Sequence, residues 1–85
     1  MTFVTLAKAV PGRAKEAMET LKGMSSLPGG AKVLSCYVTF GRYDVVCIWE
    51  ASDLSGANRA MRALVEKGLV TTETMVAQSL EEFLK

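Results

Sequence analysis

The sequence contains no histidine and only two cysteines, so the side chains that most often serve as general bases and metal ligands are scarce. The motifs of nucleotide-binding loops, serine hydrolases and zinc proteases are absent as well. No cluster of cysteines or carboxylates has metal-ligand spacing. From these absences we expect no catalytic residue set of the common kinds, no metal and no cofactor.

An excess of charge of one sign is lacking too, because ten lysines and arginines are balanced by nine aspartates and glutamates, for a net charge of +1. Such a chain has no field strong enough to gather nucleic acid. No apolar run approaches the roughly 20 residues that a membrane span needs, and no secretion signal opens the chain. We therefore expect a cytoplasmic protein that binds neither nucleic acid directly nor membranes.

The clearest pattern lies in residues 31–51, two runs rich in β-branched and aromatic residues that meet at Gly41-Arg42-Tyr43-Asp44. Two such runs around a short polar segment predict a β-hairpin with those four residues as its loop. In the resulting register, Phe40 lies opposite Val45. One face of the hairpin is then wholly apolar, and the other is half polar, as is typical of an interface.

In the same register the two cysteines are diagonal neighbours, with Cys36 opposite Trp49 and Cys47 opposite Val38. Diagonal Cβ atoms lie roughly 7 Å apart, beyond the ~4 Å that a disulfide needs. We therefore predict two buried free thiols, which agrees with a reducing cytoplasm.

The remaining segments alternate between strand and helix patterns. In chain order they predict a strand over 2–10, a helix over 13–25, a loop over 25–30, the hairpin, a helix from Ser52 or Asp53 to Gly68, a strand over 69–77 and a short turn from Ser79. This is the ferredoxin-like βαββαβ order of an α+β domain, which we place over residues 1–85. Its right-handed crossovers put both helices on one face of a four-stranded antiparallel sheet.

The other face of that sheet is left bare and is too apolar for open solvent. A second copy of the chain is the simplest cover, so we predict a homodimer or higher homo-oligomer. Three apolar residues of the last segment, Leu80, Phe83 and Leu84, are expected to pack on this subunit or on a neighbour.

Residues 37–46 resemble the GYD family of small proteins, which is named after a Gly, Tyr, Asp turn between its middle strands. Residues 71–74 and 79–83 look like that family's closing strand and tail. The chain is also similar to the ligand-binding domain of the Lrp/AsnC regulators, although no helix-turn-helix segment precedes Met1. Both families belong to the dimeric α+β barrel superfamily, so the resemblance implies that fold and a dimer.

The resemblance to Lrp/AsnC domains implies a stand-alone small-molecule-binding and oligomerisation module without its own DNA-binding segment. The ligand-binding residues that it implies lie at the hairpin turn and on the last strand: Gly41, Arg42, Tyr43, Asp44, Thr72 and Thr74. An amino acid suits such a pocket as effector, because Asp44 or backbone carbonyls can take its ammonium and Arg42 or backbone amides its carboxylate.

The alternative is a small cofactorless enzyme of the same superfamily, with Asp44, Glu50, Glu73 or Tyr37 as its acid or base. Glu50 and Glu73 are the better candidates, because a carboxylate on a covered sheet face is partly desolvated. The place of the pocket discriminates between the two functions. A pocket between dimers favours the effector module, which is the hypothesis we prefer. A pocket between sheet and helices inside the monomer favours an enzyme, and the absence of a pocket favours a purely structural assembler.

Overall fold

A computed structural model describes residues 1–22 and 26–85 and confirms the predicted ferredoxin-like order of strands and helices. The strands are β1 (Thr2–Ala9), β2 (Ser26–Leu27), β3 (Ala31–Val38), β4 (Val45–Glu50) and β5 (Val70–Ala77). The helices are α1 (Ala14–Lys22), α2 (Leu54–Val65) and α3 (Leu80–Phe83). The last part of the predicted first helix, residues 23–25, lies outside the described residues.

The strands form one antiparallel sheet in the order β2-β3-β4-β1-β5. Its four long strands are those predicted, whereas β2 lies in a segment predicted to be loop. The turn over Pro28–Gly30 brings Leu27 back opposite Ala31, which adds the two-residue strand at the start of β3. Only that start is paired by β2, so the rest of β3 is an edge of the described sheet.

The helix-covered face of the sheet holds the core. Along β1 every second residue is buried, namely Phe3, Thr5 and Ala7, as expected of a strand with one face inside. The Phe3 ring stacks on the buried Trp49 ring with a centroid distance of 4.6 Å. Burial of large aromatic surfaces in such a pair is the main apolar contribution at this end of the sheet.

The opposite face of the sheet carries none of the described helices, as predicted. Its centre consists of half-buried aliphatic residues from the two middle strands: Val4, Leu6, Val46 and Ile48. Met75 and Tyr37 continue this surface onto the outer strands, where they are 43 % and 59 % exposed. We call this surface the bare face. Its apolar character is typical of an interaction surface.

The predicted register of the hairpin is wrong by two residues. The ladder between β3 and β4 ends with Val38 opposite Val45, so the loop spans residues 39–44 rather than 41–44. A hydrogen bond of 2.8 Å from the Thr39 amide to the Asp44 carbonyl closes this longer loop. Because side chains alternate with a period of two, this slip leaves residues 35–38 on their predicted faces. The prediction fails at both ends of β3, since the bulge between Val33 and Ser35 puts Val33 rather than Leu34 on the helix-covered face, and Phe40 lies in the loop, 98 % exposed.

The same slip overturns the prediction of two buried free thiols. Cys36 lies directly opposite Cys47, with a Cα–Cα distance of 4.2 Å, and the two form a disulfide. Cys36 is exposed on the sheet edge, and Cys47 is half-buried. The cysteines therefore no longer support a cytoplasmic location, which stays a prediction. Within the described residues, no helix is long and apolar enough to cross a membrane.

Candidate ligand-binding cleft

The hairpin loop is held against β1 by Asp44. Its backbone amide donates to the Ala7 carbonyl at 2.9 Å, and its carboxylate Oδ2 accepts from the Ala9 amide at 2.8 Å. The Thr39 hydroxyl also donates to the Tyr43 carbonyl at 2.6 Å. Bonds from backbone and side chain at both ends of the loop give its tip a defined position on a rigid scaffold, as is common for binding loops.

The anchored loop forms a polar cleft of about 240 Å³ with the ends of β1 and β5. The cleft is lined by residues from these three segments: Lys8, Arg42, Tyr43, Thr71, Thr72 and Glu73. Lys8 and Thr71 are opposite each other across the β1–β5 ladder, and Glu73 is opposite Leu6. Glu73 and Lys8 therefore project from the bare face, at the border of the apolar surface.

A hydrogen bond of 2.8 Å from the Tyr43 hydroxyl to Glu73 Oε2 joins the loop to β5. This bond raises the pKa of Tyr43 above its usual value, and the charge of Glu73 acts in the same direction, while the nearby Arg42 guanidinium opposes it. The phenol is therefore protonated at neutral pH and donates steadily to the carboxylate. The Arg42 guanidinium lies 5.9 Å from the centre of the Tyr43 ring.

The cleft presents charges of both signs, with two cations, Lys8 and Arg42, and one carboxylate, Glu73. The ion pairs formed among residues 1–22 and 26–85 are all elsewhere: Arg13–Glu16, Arg62–Glu66 and Glu82–Lys85. The three charged groups of the cleft are thus available to a ligand. A zwitterion matches this arrangement, because its two charges find opposite partners in one site.

The predicted ligand-binding residues divide into three groups. Arg42, Tyr43 and Thr72 line the cleft together. Gly41 and Asp44 belong to the same loop, but Asp44 uses its carboxylate to anchor the loop. Thr74 is not part of the cleft, because its hydroxyl points to the helix-covered face, 2.8 Å from the hydroxyl of Thr5.

Sequence reasoning missed Lys8 and Thr71, and named Glu73 only as an acid or base. A signal for Lys8 was present, since it is the one charged residue of β1 and follows a run of uncharged ones. The second carboxylate candidate, Glu50, lies opposite Thr2, whereas Glu73 lies opposite Leu6. They are offset by four residues along β1 and lie on the strands at either side of it, about 16 Å apart, so they do not form an acid–base pair.

A second space, a partly open cavity of about 50 Å³, lies between sheet and helices. This is the location expected of an enzyme pocket, but its described lining is apolar apart from the Thr5 hydroxyl. That hydroxyl accepts a hydrogen bond of 2.8 Å from Trp49 Nε1. The lining contains no carboxylate, and the described residues contain no cluster suited to a metal.

Comparison with known proteins agrees with the fold. A family model for the GYD domain matches residues 2–85. The solved structure of FFRP-DM1 is similar, with a TM-score of 0.68 and 26 % identity, over 91 % of this chain and 97 % of that one. The hypothetical protein PHS023 from Pyrococcus horikoshii has a TM-score of 0.66 and 26 % identity, over 92 % and 89 % of the two chains. Among curated proteins, none matches.

Proposed function

The chain belongs to the GYD domain family, and from this premise we propose that it is a homo-oligomeric module that binds a small zwitterion, an amino acid in the simplest case. The observation that carries the proposal is the arrangement of Lys8, Arg42 and Glu73 around one cleft of about 240 Å³. Pockets of this kind fix a ligand through a few placed polar groups.

The charges assign the two ends of the ligand. The ammonium group is bound by Glu73, whose position is fixed by the Tyr43 hydroxyl, and the carboxylate is bound by Arg42 and Lys8. Glu73 replaces Asp44 as the acceptor for the ammonium, because Asp44 already accepts from the Ala9 amide. Thr72 and Thr71 border the remaining space and leave room for a short side chain.

The bare face supports the homo-oligomeric part of the proposal. Its central aliphatic residues are covered by no described element of the chain, and a second copy that packs sheet against sheet removes them from water. Because Lys8 and Glu73 lie at the border of this face, the partner subunit lies beside the cleft in such a dimer. Ligand binding and assembly are therefore expected to stabilise each other.

Ligand binding is tested by thermal shift and calorimetry with a panel of amino acids. We expect at least one to raise the melting temperature of the wild-type protein and of Glu19→Gln, a matched change at an exposed residue of α1. Glu73→Gln removes the acceptor charge and is expected to abolish the rise. A panel without any effect on the wild type, or an equal effect on both variants, contradicts the proposal.

Assembly is tested by neighbouring substitutions on opposite faces of β5. Met75 belongs to the bare face, whereas Val76 is opposite Phe3 on the other face and is 62 % exposed. Met75→Asp is expected to give monomers of 9.2 kDa in sedimentation equilibrium, and Val76→Asp to leave the oligomer intact. If the wild type is itself a monomer at micromolar concentration, or both variants remain oligomers, the bare face is not the interface.

A further inference from the structure

The C-terminal helix α3 exposes an apolar face that no described part of the chain covers. Leu80, Phe83 and Leu84 are each 71 % exposed. Their spacing of three and four residues places them on one side of the helix. The helix is nevertheless formed, since the Ser79 hydroxyl caps it by accepting from the Glu82 amide at 3.0 Å. A capped helix with a solvent-facing apolar side indicates a docking element.

A matching apolar groove of about 360 Å³ lies between α1 and the edge strand β3. Its walls are mainly side chains from these two elements, Met18, Leu21, Cys36 and Val38. The one charged residue of the described lining is Lys22. An open strand edge beside an apolar groove is a surface that proteins normally cover.

The groove and the tail of one chain are at diagonally opposite corners of the sheet. Ala77 of β5 lies opposite Thr2, at one end of β1. Val38 of β3 lies level with Ala7, near the other end of β1, and β3 is three strands away from β5. With ordinary strand spacings, Ala77 is about 18 Å from Cys36 and about 22 Å from Val38. Two extended linker residues and the four-residue helix reach about 16 Å at most. Because α2 packs across the helix-covered face and contacts both β3 and β5, the path over the surface is longer than these distances, and α3 does not reach the groove of its own chain.

We propose that α3 of one copy packs its apolar side into the α1–β3 groove of a second copy. The charges agree with this pairing, because Glu81 and Glu82 flank the apolar side of α3 and Lys22 borders the groove. The tail and the groove are distinct from both the bare face and the polar cleft, so this contact does not depend on the proposed function. The contact either joins two dimers to each other or adds to the interface between the two subunits of one dimer.

The contact is tested by placing the photo-crosslinker benzoylphenylalanine at position 83 and mixing isotopically labelled with unlabelled protein. We expect crosslinks between chains that map to Met18, Leu21 or Val38. The same probe at Arg62, an exposed position of α2, is expected to give none in the groove. Crosslinks from position 83 that stay within one chain, that map to the bare face, or that do not form overturn the proposal.

A charge exchange separates this contact from non-specific capture. Lys22→Glu is expected to lower the yield of groove crosslinks roughly tenfold, and Glu81→Lys with Glu82→Lys is expected to restore it. If neither set of substitutions changes the yield of groove crosslinks, the proposed pairing of α3 with the groove is wrong. Three apolar side chains bury far less than the roughly 1,200 Å² of a stable interface, so the tail contact alone does not hold copies together at micromolar concentration, and sedimentation of Met75→Asp reports the bare face only. Crosslinking reports the tail contact, so failure of one contact is distinguishable from failure of the other.

Discussion

One added methyl group at Gly56 is expected to damage the fold directly. Gly56 lies in the first turn of α2, where the backbone of the turn over Pro28–Gly30 approaches most closely. A Cβ on Gly56 would lie 2.6 Å from the Gly29 carbonyl oxygen and 3.3 Å from Asp53 Oδ1. Because the nearer neighbour is backbone, no side-chain rotation relieves the clash.

Two opposing effects decide the stability of Gly56→Ala. Helix propensity alone favours alanine by at most about 1 kcal/mol. Overpacking costs about 1–3 kcal/mol, and displacement of the Asp53 cap, which accepts from the Gly56 amide at 2.7 Å, costs about 0.5–2 kcal/mol more. We expect a net loss of about 0.5–4 kcal/mol in the free energy of unfolding.

Urea unfolding of Gly56→Ala and Asn58→Ala measures this difference. Asn58 is exposed two residues further along α2, so its replacement keeps the propensity gain without the clash and is expected to be neutral or slightly stabilising. If Gly56→Ala is as stable as the wild type, the approach between the turn and α2 is looser than the structure shows, and the reasoning fails.

Three further predictions concern the loop and the disulfide. In a Tyr37→Phe background, absorbance titration is expected to show that the pKa of Tyr43 is above its usual value, and Glu73→Ala is expected to lower this pKa. Since the pKa is raised in the folded state, the stabilisation that the Tyr43–Glu73 hydrogen bond gives to the fold is present at neutral pH and is lost as the pH rises through that pKa. Asp44→Ala is expected to lower the free energy of unfolding by about 1.5–3 kcal/mol and to abolish any ligand-induced thermal shift, while the circular dichroism spectrum is unchanged. A variant that unfolds outright, or that keeps its thermal shift, would contradict this prediction. Under non-reducing conditions the intact mass should be two hydrogens below that of the reduced protein, and loss of the Cys36–Cys47 bond should cost about 3 kcal/mol in unfolding experiments.

The order of elements and the faces of the strands were predictable from the sequence, because both depend on short-range periodicity. Phe3, Thr5 and Ala7 alternate with half-exposed neighbours, and Ala17 and Ala60 lie on the buried sides of their helices. The side chain of each such residue needs only its own strand or helix to set its direction. The bare face follows from the same periodicity once the crossovers are right-handed.

The hairpin register was not predictable, because it depends on how many residues the loop takes. Four polar residues gave a plausible loop, but the bond between Thr39 and Asp44 closes one of six. A bulge between Val33 and Ser35 adds a second irregularity, which leaves Leu34 47 % exposed. Errors of two residues preserve the faces and change the partners, which is why the cysteines were placed on the correct face and yet not opposite each other.

The candidate cleft was half predictable for a related reason. Sequence reasoning assigned ligand binding to all four residues of the predicted loop, Gly41, Arg42, Tyr43 and Asp44, because they are adjacent in sequence. In the structure, neighbouring residues of the loop have different roles. Asp44 points back to the amide of Ala9 and fixes the loop, and Tyr43 points forward to Glu73. The walls of the cleft are joined by bonds within the chain, so the cleft needs no ligand to form. Under the proposed function, a preformed site of this kind has no loop-ordering cost to offset on binding, so a few charged contacts would hold a ligand as small as an amino acid.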